Sequence, residues 1–162
     1  MRRDVVIKWT HIGGGPLLSM LESRAQHAFS SLNNISYSFT GTLPRTRVGE
    51  IYARERTDIF INLSESEGVP VSIMEAMSYG IPAIAPDIGG VVSLVDDQTG
   101  VLLSAEAGVE EAAQALIKVI DPALCGDGKN ESIRLRKDCR EFNSNINYPL
   151  FMQELHAIAS GA

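Results

Sequence analysis

From Val5 onward, short apolar runs alternate with longer stretches in which apolar residues recur every three or four positions. Val5-Val6-Ile7-Lys8-Trp9 is a β-branched run that leads through His11 into Gly13-Gly14-Gly15-Pro16, and Leu17, Leu18, Leu21, Ala25, Ala28 and Phe29 then fall at helical spacing. A second strand is predicted at Ile35–Phe39, where apolar and polar residues alternate up to Thr40-Gly41. Val48, Ile51 and Tyr52 mark one face of the next helix. Asp58–Leu63 reads as a third strand, Val71–Tyr79 as a helix closed by Gly80, and Pro82–Ala85 as a fourth strand. After Gly89-Gly90 the pattern predicts a short helix over Val91–Val95, a strand at Val101–Leu103 and a helix over Val109–Ile120. Glu131–Phe142 and Pro149–Ala159 read as two closing helices.

Five strands alternating with helices predict an α/β fold: a doubly wound, mostly parallel sheet with helices on both faces, because parallel neighbours require crossover connections. Ligands in such sheets bind beyond the carboxyl ends of the strands. A length of 162 residues suits one domain spanning 1–162.

Composition narrows the partners. The chain is 44% hydrophobic and 21% charged, which places it among folded proteins rather than disordered ones. Its 20 acids exceed its 14 bases, a net charge of −6, which argues against nucleic acid as a partner. No Lys or Arg lies between Arg56 and Lys118, so any anion bound in that stretch cannot rely on local cationic side chains. Cys125 and Cys139 have no His at metal-ligand spacing, so neither a metal site nor a cofactor is expected, and a reduced, cytoplasmic setting is favoured. The N-terminal apolar run is interrupted by Lys8 and does not read as a secretory leader, and no run approaches the ~18–20 apolar residues that span a bilayer. The Arg134-Leu135-Arg136-Lys137 cluster reads most simply as a solvated helix face. Contact with anionic lipid headgroups, giving a peripheral association at the inner face of a membrane, is the alternative.

The most informative stretch is Ser64-Glu65-Ser66-Glu67-Gly68-Val69-Pro70-Val71-Ser72-Ile73-Met74-Glu75-Ala76-Met77, where a strand hands over to a helix. Pro70 suits the first helical turn, where its missing N–H costs nothing, and the free amides of Val71 and Ser72 would favour an anion such as phosphate. Gly68 lets the backbone approach a ligand closely. Glu67 and Glu75 flank this terminus, and a carboxylate there can accept hydrogen bonds from vicinal sugar hydroxyls. Taken singly, Glu67 also reads as a loop acid, Glu75 as a solvated helix residue, and Ser64 and Ser66 as turn residues. His11 reads as a hydrogen-bonded structural residue at a strand end, and Trp9 and Tyr37 as strand-face residues.

Glu67 and Glu75, set in Glu-Gly-Val-Pro-Val-Ser-Ile-Met-Glu-Ala-Met with Gly80-Ile81-Pro82 after it, resemble the signature of retaining, nucleotide-sugar-dependent glycosyltransferases of GT-B architecture, of the group 1 or family 4 type. Gly13-Gly14-Gly15-Pro16-Leu17, Phe39-Thr40-Gly41, Tyr52 with Asp58-Ile59-Phe60, Gly89-Gly90 and Thr99–Leu103 follow the same order.

The resemblance implies a donor-binding domain for a nucleoside diphosphate sugar, serving glycan or polysaccharide biosynthesis. Glu75 corresponds to the acid that hydrogen-bonds the donor ribose, and Glu67 to the acid beside the donor sugar with a catalytic or positioning role. Gly68, Val69, Pro70, Val71 and Ser72 would meet sugar and diphosphate through the backbone, Leu43 the base, and Gly13, Gly14 and Gly15 would line the crevice. It also implies that the N-terminal acceptor-binding domain, and the family's opening strand with an Arg and a Lys for the diphosphate, are absent from this chain. The isolated domain is then expected to be inactive in transfer, and the alternative is a non-catalytic nucleotide-binding module or a subunit needing a partner chain. A GT-B epimerase or phosphorylase is disfavoured, the latter by the absence of any Lys between Lys8 and Lys118. Leu18 stands where a dinucleotide fingerprint would need a third Gly, which disfavours a dehydrogenase.

Overall fold

The computed structural model describes residues 5–120; the two expected closing helices, both cysteines and the Arg134–Lys137 cluster lie outside them. The described elements run β1 (Ile7–His11), α1 (Leu18–Phe29), β2 (Ile35–Phe39), α2 (Arg45–Arg54), β3 (Phe60–Ile61), α3 (Val71–Ser78), β4 (Ala83–Pro86), a 3-10 turn (Val91–Ser93), β5 (Gly100–Leu103) and α4 (Val109–Ile120). The fold is α/β, and every ladder between named strands is parallel, as the alternation of strand and helix predicts. The strands form two ladders, β1-β2 and β3-β4-β5, and the chain groups into two compact units that meet in sequence between Arg54 and Glu55.

In the first unit β1 and β2 pair from Ile7 opposite Ile35 to His11 opposite Phe39. Residues two apart on a strand share a face, so Trp9, His11, Tyr37 and Phe39 lie together, and Phe29 from α1 adds a fifth ring. Trp9 meets Phe39, Phe29 and His11 edge-on at centroid distances of 5.3, 6.1 and 6.3 Å. Lys8, Thr10, Ser36 and Ser38 occupy the opposite face, where the Ser38 hydroxyl donates to Thr10 Oγ1 at 3.4 Å. β1 begins two residues later than the β-branched run suggests, because pairing with β2 sets its register rather than side-chain propensity.

The second unit is built around β4, whose residues Ala83–Pro86 are all buried. Ala83 and Ala85 face a core made by Ile73 and Met77 of α3 with Val91, Leu94 and Val95, into which Phe60 and Leu102 pack. Ile84 faces the other side and joins Leu103 and Ala115, with Val101, Ala112 and Leu116 around them. Alternation along β3, β4 and β5 therefore sends side chains into helix-covered cores on both faces of this ladder, the condition that parallel strands require. α3 ends where Gly80 adopts a φ of +75°, its amide donating to Met77 O at 2.8 Å while Ile81 donates to Ala76 O at 3.2 Å.

Candidate functional site

The predicted site residues fall in both units. Gly13, Gly14, Gly15 and Leu43 belong to the first; Glu67, Gly68, Val69, Pro70, Val71, Ser72 and Glu75 belong to the second.

In the first unit the Gly13–Gly15 turn and the loop before α2 are brought together. The Gly13 amide donates to Gly41 O at 2.9 Å, and a Cβ on Gly14 would sit 2.7 Å from Thr42 Oγ1. Leu43 follows directly, half-buried, and Pro44 O then accepts from the amides of Arg47 and Val48 as α2 begins. His11 packs against the rings of Trp9 and Phe39.

In the second unit the chain leaves β3, turns through Ser64–Val69 and enters α3. Pro70 sits one position earlier than expected: with φ −74° and ψ 101° it is the cap residue, still extended, and its carbonyl accepts the first helical bonds from Ile73 and Met74 at 3.1 and 3.3 Å. The amides of Val71 and Ser72 precede any residue with a helical acceptor four positions back. Pro70 supplies no side-chain cap and the first turn of α3 holds no acid, so the partial positive charge of this terminus is unanswered within the helix. Val71 is 57% exposed, which leaves the end of the helix accessible.

Ile73, Ala76 and Met77 form the buried face of α3. Glu75 is one turn on from Val71, on the opposite face by the 3.6-residue period, and is half-buried. Glu67 is also half-buried, and Asn62 Nδ2 donates to its Oε1 at 3.2 Å. Asn62 Oδ1 accepts the Ser64 amide at 2.8 Å, so this one side chain ties both the start of the turn and its carboxylate to the end of β3.

The turn is supported from behind by Gly89 and Gly90. The Gly90 amide donates to Gly68 O at 2.7 Å, and a Cβ on Gly89 would fall 1.9 Å from Glu67 O. Gly89 also has a φ of +49°, so neither its space nor its backbone admits another residue without a shift. The sequence marks Gly89-Gly90 as punctuation and as part of the motif series without assigning it a contact, and it gives Asn62 no role beyond the third strand. The strand-to-turn position of Asn62, five residues before an acid, was the one available signal.

Between Arg56 and Lys118 the chain carries no cation, and Arg56 Nε itself donates to Asp58 Oδ1 at 2.7 Å. Local attraction for an anion at the turn therefore comes from backbone N–H groups and the α3 dipole. Glu111 lies elsewhere, in the first turn of α4, where the hydroxyl and then the amide of Ser104, just past β5, hold its carboxyl below its ordinary value.

An accessible helix terminus can attract an anion, and carboxylates beside it can accept hydrogen bonds from hydroxyl groups. Residues 2–149 match the family described as glycosyl transferases group 1, and the chain belongs to that family. Over 90 residues it is 36% identical to the sulfoquinovosyl transferase SQD2 of Arabidopsis thaliana, a match covering 55% of this chain and 16% of that protein. Over 80 residues it is 39% identical to a GDP-mannose-dependent alpha-mannosyltransferase of Mycolicibacterium smegmatis, covering 49% of this chain and 20% of that one. Its fold is similar to that of a sucrose-phosphate synthase from Thermosynechococcus elongatus, with a TM-score of 0.62 at 17% identity over 100% of this chain and 47% of that chain. The chain thus spans about half the length of that solved structure, and the matches cover a smaller share of the curated relatives. The fold is that of GT-B glycosyltransferases.

Proposed function

We propose that residues 1–162 form the donor-binding domain of a retaining glycosyltransferase and bind a nucleoside diphosphate sugar for glycan or polysaccharide biosynthesis. The observation that carries this reading is the α3 terminus: uncapped, free of acids in its first turn, accessible, and flanked by half-buried Glu67 and Glu75. The amides of Val71 and Ser72 hold the diphosphate, the backbone of Gly68–Pro70 follows the sugar, and Glu75 accepts hydrogen bonds from the ribose hydroxyls. Glu67 meets the donor sugar. As the diphosphate departs, charge grows on its oxygens, and preorganised amides stabilise that charge without reorganising.

The name of the Mycolicibacterium relative, GDP-mannose-dependent, supports a nucleotide-sugar donor. The partial coverage of the relatives supports a second part of the enzyme that binds the acceptor. The alternative, a nucleotide-binding subunit without catalysis of its own, shares the same donor site. It is separated from the main reading by whether adding an acceptor-binding half restores sugar transfer.

The test of the site is calorimetric titration of UDP, GDP and ADP, with and without their sugars, into the wild-type chain and Glu75→Ala. Binding by at least one nucleotide, weakened roughly ten-fold or more in the variant, is expected from the loss of hydrogen bonds to a charged group. Absence of binding at millimolar ligand, or unchanged binding in Glu75→Ala, overturns the reading.

A further inference from the structure

We infer that Asn62 is a positioning residue that sets where the Glu67 carboxylate meets the donor sugar; this rests on the role given to Glu67 above. Three linked bonds run from the buried sheet to the carboxylate. The Asn62 amide N–H donates to Ile84 O at 3.0 Å, which locks its backbone to β4, and Ile84 is buried in the core. Its side-chain oxygen accepts the Ser64 amide at 2.8 Å, which fixes the plane of the carboxamide. With that plane fixed, Nδ2 donates to Glu67 Oε1 at 3.2 Å.

The residue type matters. A carboxamide offers a donor and an acceptor on separate atoms of one short, planar group, whereas an ionised Asp at this place keeps only the acceptor, a Leu offers neither, and a Ser would have to make both bonds from one atom of shorter reach. A neutral donor also orders the carboxylate without neutralising it, as a Lys or Arg would. The long Glu side chain loses rotamer freedom whenever it is ordered, and the bond from Asn62 imposes that order before a ligand arrives. Only Oε1 is used in this bond, and the Glu67 backbone is backed by Gly89, so the carboxylate is held from the sheet side.

The consequence is specific: Asn62 contributes to recognition of the sugar and not of the diphosphate, which the α3 amides hold. The quantity to measure is the ratio of affinities for a nucleotide sugar and its parent diphosphate, using UDP-glucose against UDP and GDP-mannose against GDP on the full 162-residue chain. Asn62→Leu removes both side-chain bonds, whereas Asn62→Asp keeps the acceptor for the Ser64 amide and replaces the donor by a like charge. The ratio is expected to fall roughly ten-fold in both variants and in Glu67→Gln. If Asn62→Leu fails to fold, Asn62→Asp carries the test, since its turn remains anchored.

A ratio that falls in Glu67→Gln but is unchanged in Asn62→Asp overturns the role of Asn62 and leaves that of Glu67 standing. Affinities for diphosphate and nucleotide sugar that fall equally also leave the ratio unchanged, and show Asn62 to be merely structural. A wild-type chain that does not distinguish either sugar from its diphosphate, or a Glu67→Gln variant that distinguishes them as wild type does, overturns both roles together.

Discussion

The two units share parallel strands and flanking helices but differ in what surrounds those strands. In the second, alternate residues of β4 enter separate cores on either face, and Ile73, Ala76, Ala83, Ala85 and Val91 are fully buried. In the first, Ala25 is the one buried residue among those described, and the rings around Trp9, itself 36% exposed, clothe a single face of the β1-β2 ladder. The difference teaches why the acids cluster where they do. A charged side chain can be held in a defined place only if the backbone beneath it is fixed, and the turn carrying Glu67 is bonded to the end of β3 on one side and to the Gly89-Gly90 backbone on the other.

The largest expected effect attacks the second unit's core. Ile73→Ala leaves a cavity where α3 meets β4 and should cost about 2–5 kcal/mol. Urea unfolding followed by far-UV circular dichroism would measure it. A loss below about 1 kcal/mol would mean that this face of the ladder is not close-packed, and the contrast between the units would collapse.

Next comes Gly89→Ala. Its new Cβ meets Glu67 O at 1.9 Å from a backbone already at positive φ, so the turn must shift or the residue must strain. A loss of about 2–3 kcal/mol is expected from the combination. Binding of a nucleotide sugar should suffer more than overall stability predicts, because the displacement falls on the Glu67 carbonyl itself. Wild-type affinity in a folded Gly89→Ala variant would show that the turn adapts freely and is not held from behind.

How far each unit could be read in advance follows from the range of the forces involved. The α4 helix matches its expected span, Val109–Ile120, because its apolar periodicity is a local signal. The β2 strand also matches, since its alternation at Ile35–Phe39 is what the ladder uses. β3 was expected over Asp58–Leu63 but pairs only through Phe60–Ile61. The Asn62 amide still bonds to Ile84 O of β4, and beyond it the chain leaves the ladder while the Asn62 side chain turns toward Ser64 and Glu67. Glu67, Glu75 and the α3 terminus were legible because they lie within nine residues of one another in a recognisable motif. The Gly89-Gly90 support was not, because the residues it touches lie more than twenty positions earlier, and no periodicity encodes so distant a contact. The two-ladder arrangement was not legible either, since alternation of elements specifies parallel pairing without saying which strands pair.

A smaller effect is expected in the first unit. Phe39→Leu keeps most of the apolar area but removes ring contacts to Trp9, His11 and Tyr37 at 5.3, 5.3 and 6.1 Å. A loss of roughly 1–2 kcal/mol should follow, less than for the Ile73 cavity. Trp9 is the only tryptophan, so its emission reports this ladder directly and should shift toward the red as water reaches it. A loss equal to that of Ile73→Ala would show that the ring cluster is a core in its own right.

The smallest effect concerns a surface clamp of the second unit. The Ser104 hydroxyl and amide donate to the Glu111 carboxylate at 2.7 and 2.6 Å, tying the end of β5 to the first turn of α4 and lowering the Glu111 pKa. A carboxyl whose pKa is lower folded than unfolded binds fewer protons in the folded state, so stability rises with pH between the two values. The contribution is therefore complete above the ordinary carboxylate range and disappears as pH falls through the lowered value. Glu111→Gln should accordingly unfold at slightly lower urea than wild type at neutral pH, with the gap closing in acid. Salt should narrow the gap at neutral pH, because an exposed carboxylate is screened. A gap that widens on acidification would reverse the sign and show that the Ser104 bonds do not favour the charged form. A gap as large as that of Ile73→Ala would shift the source of the second unit's order from its buried faces to its surface.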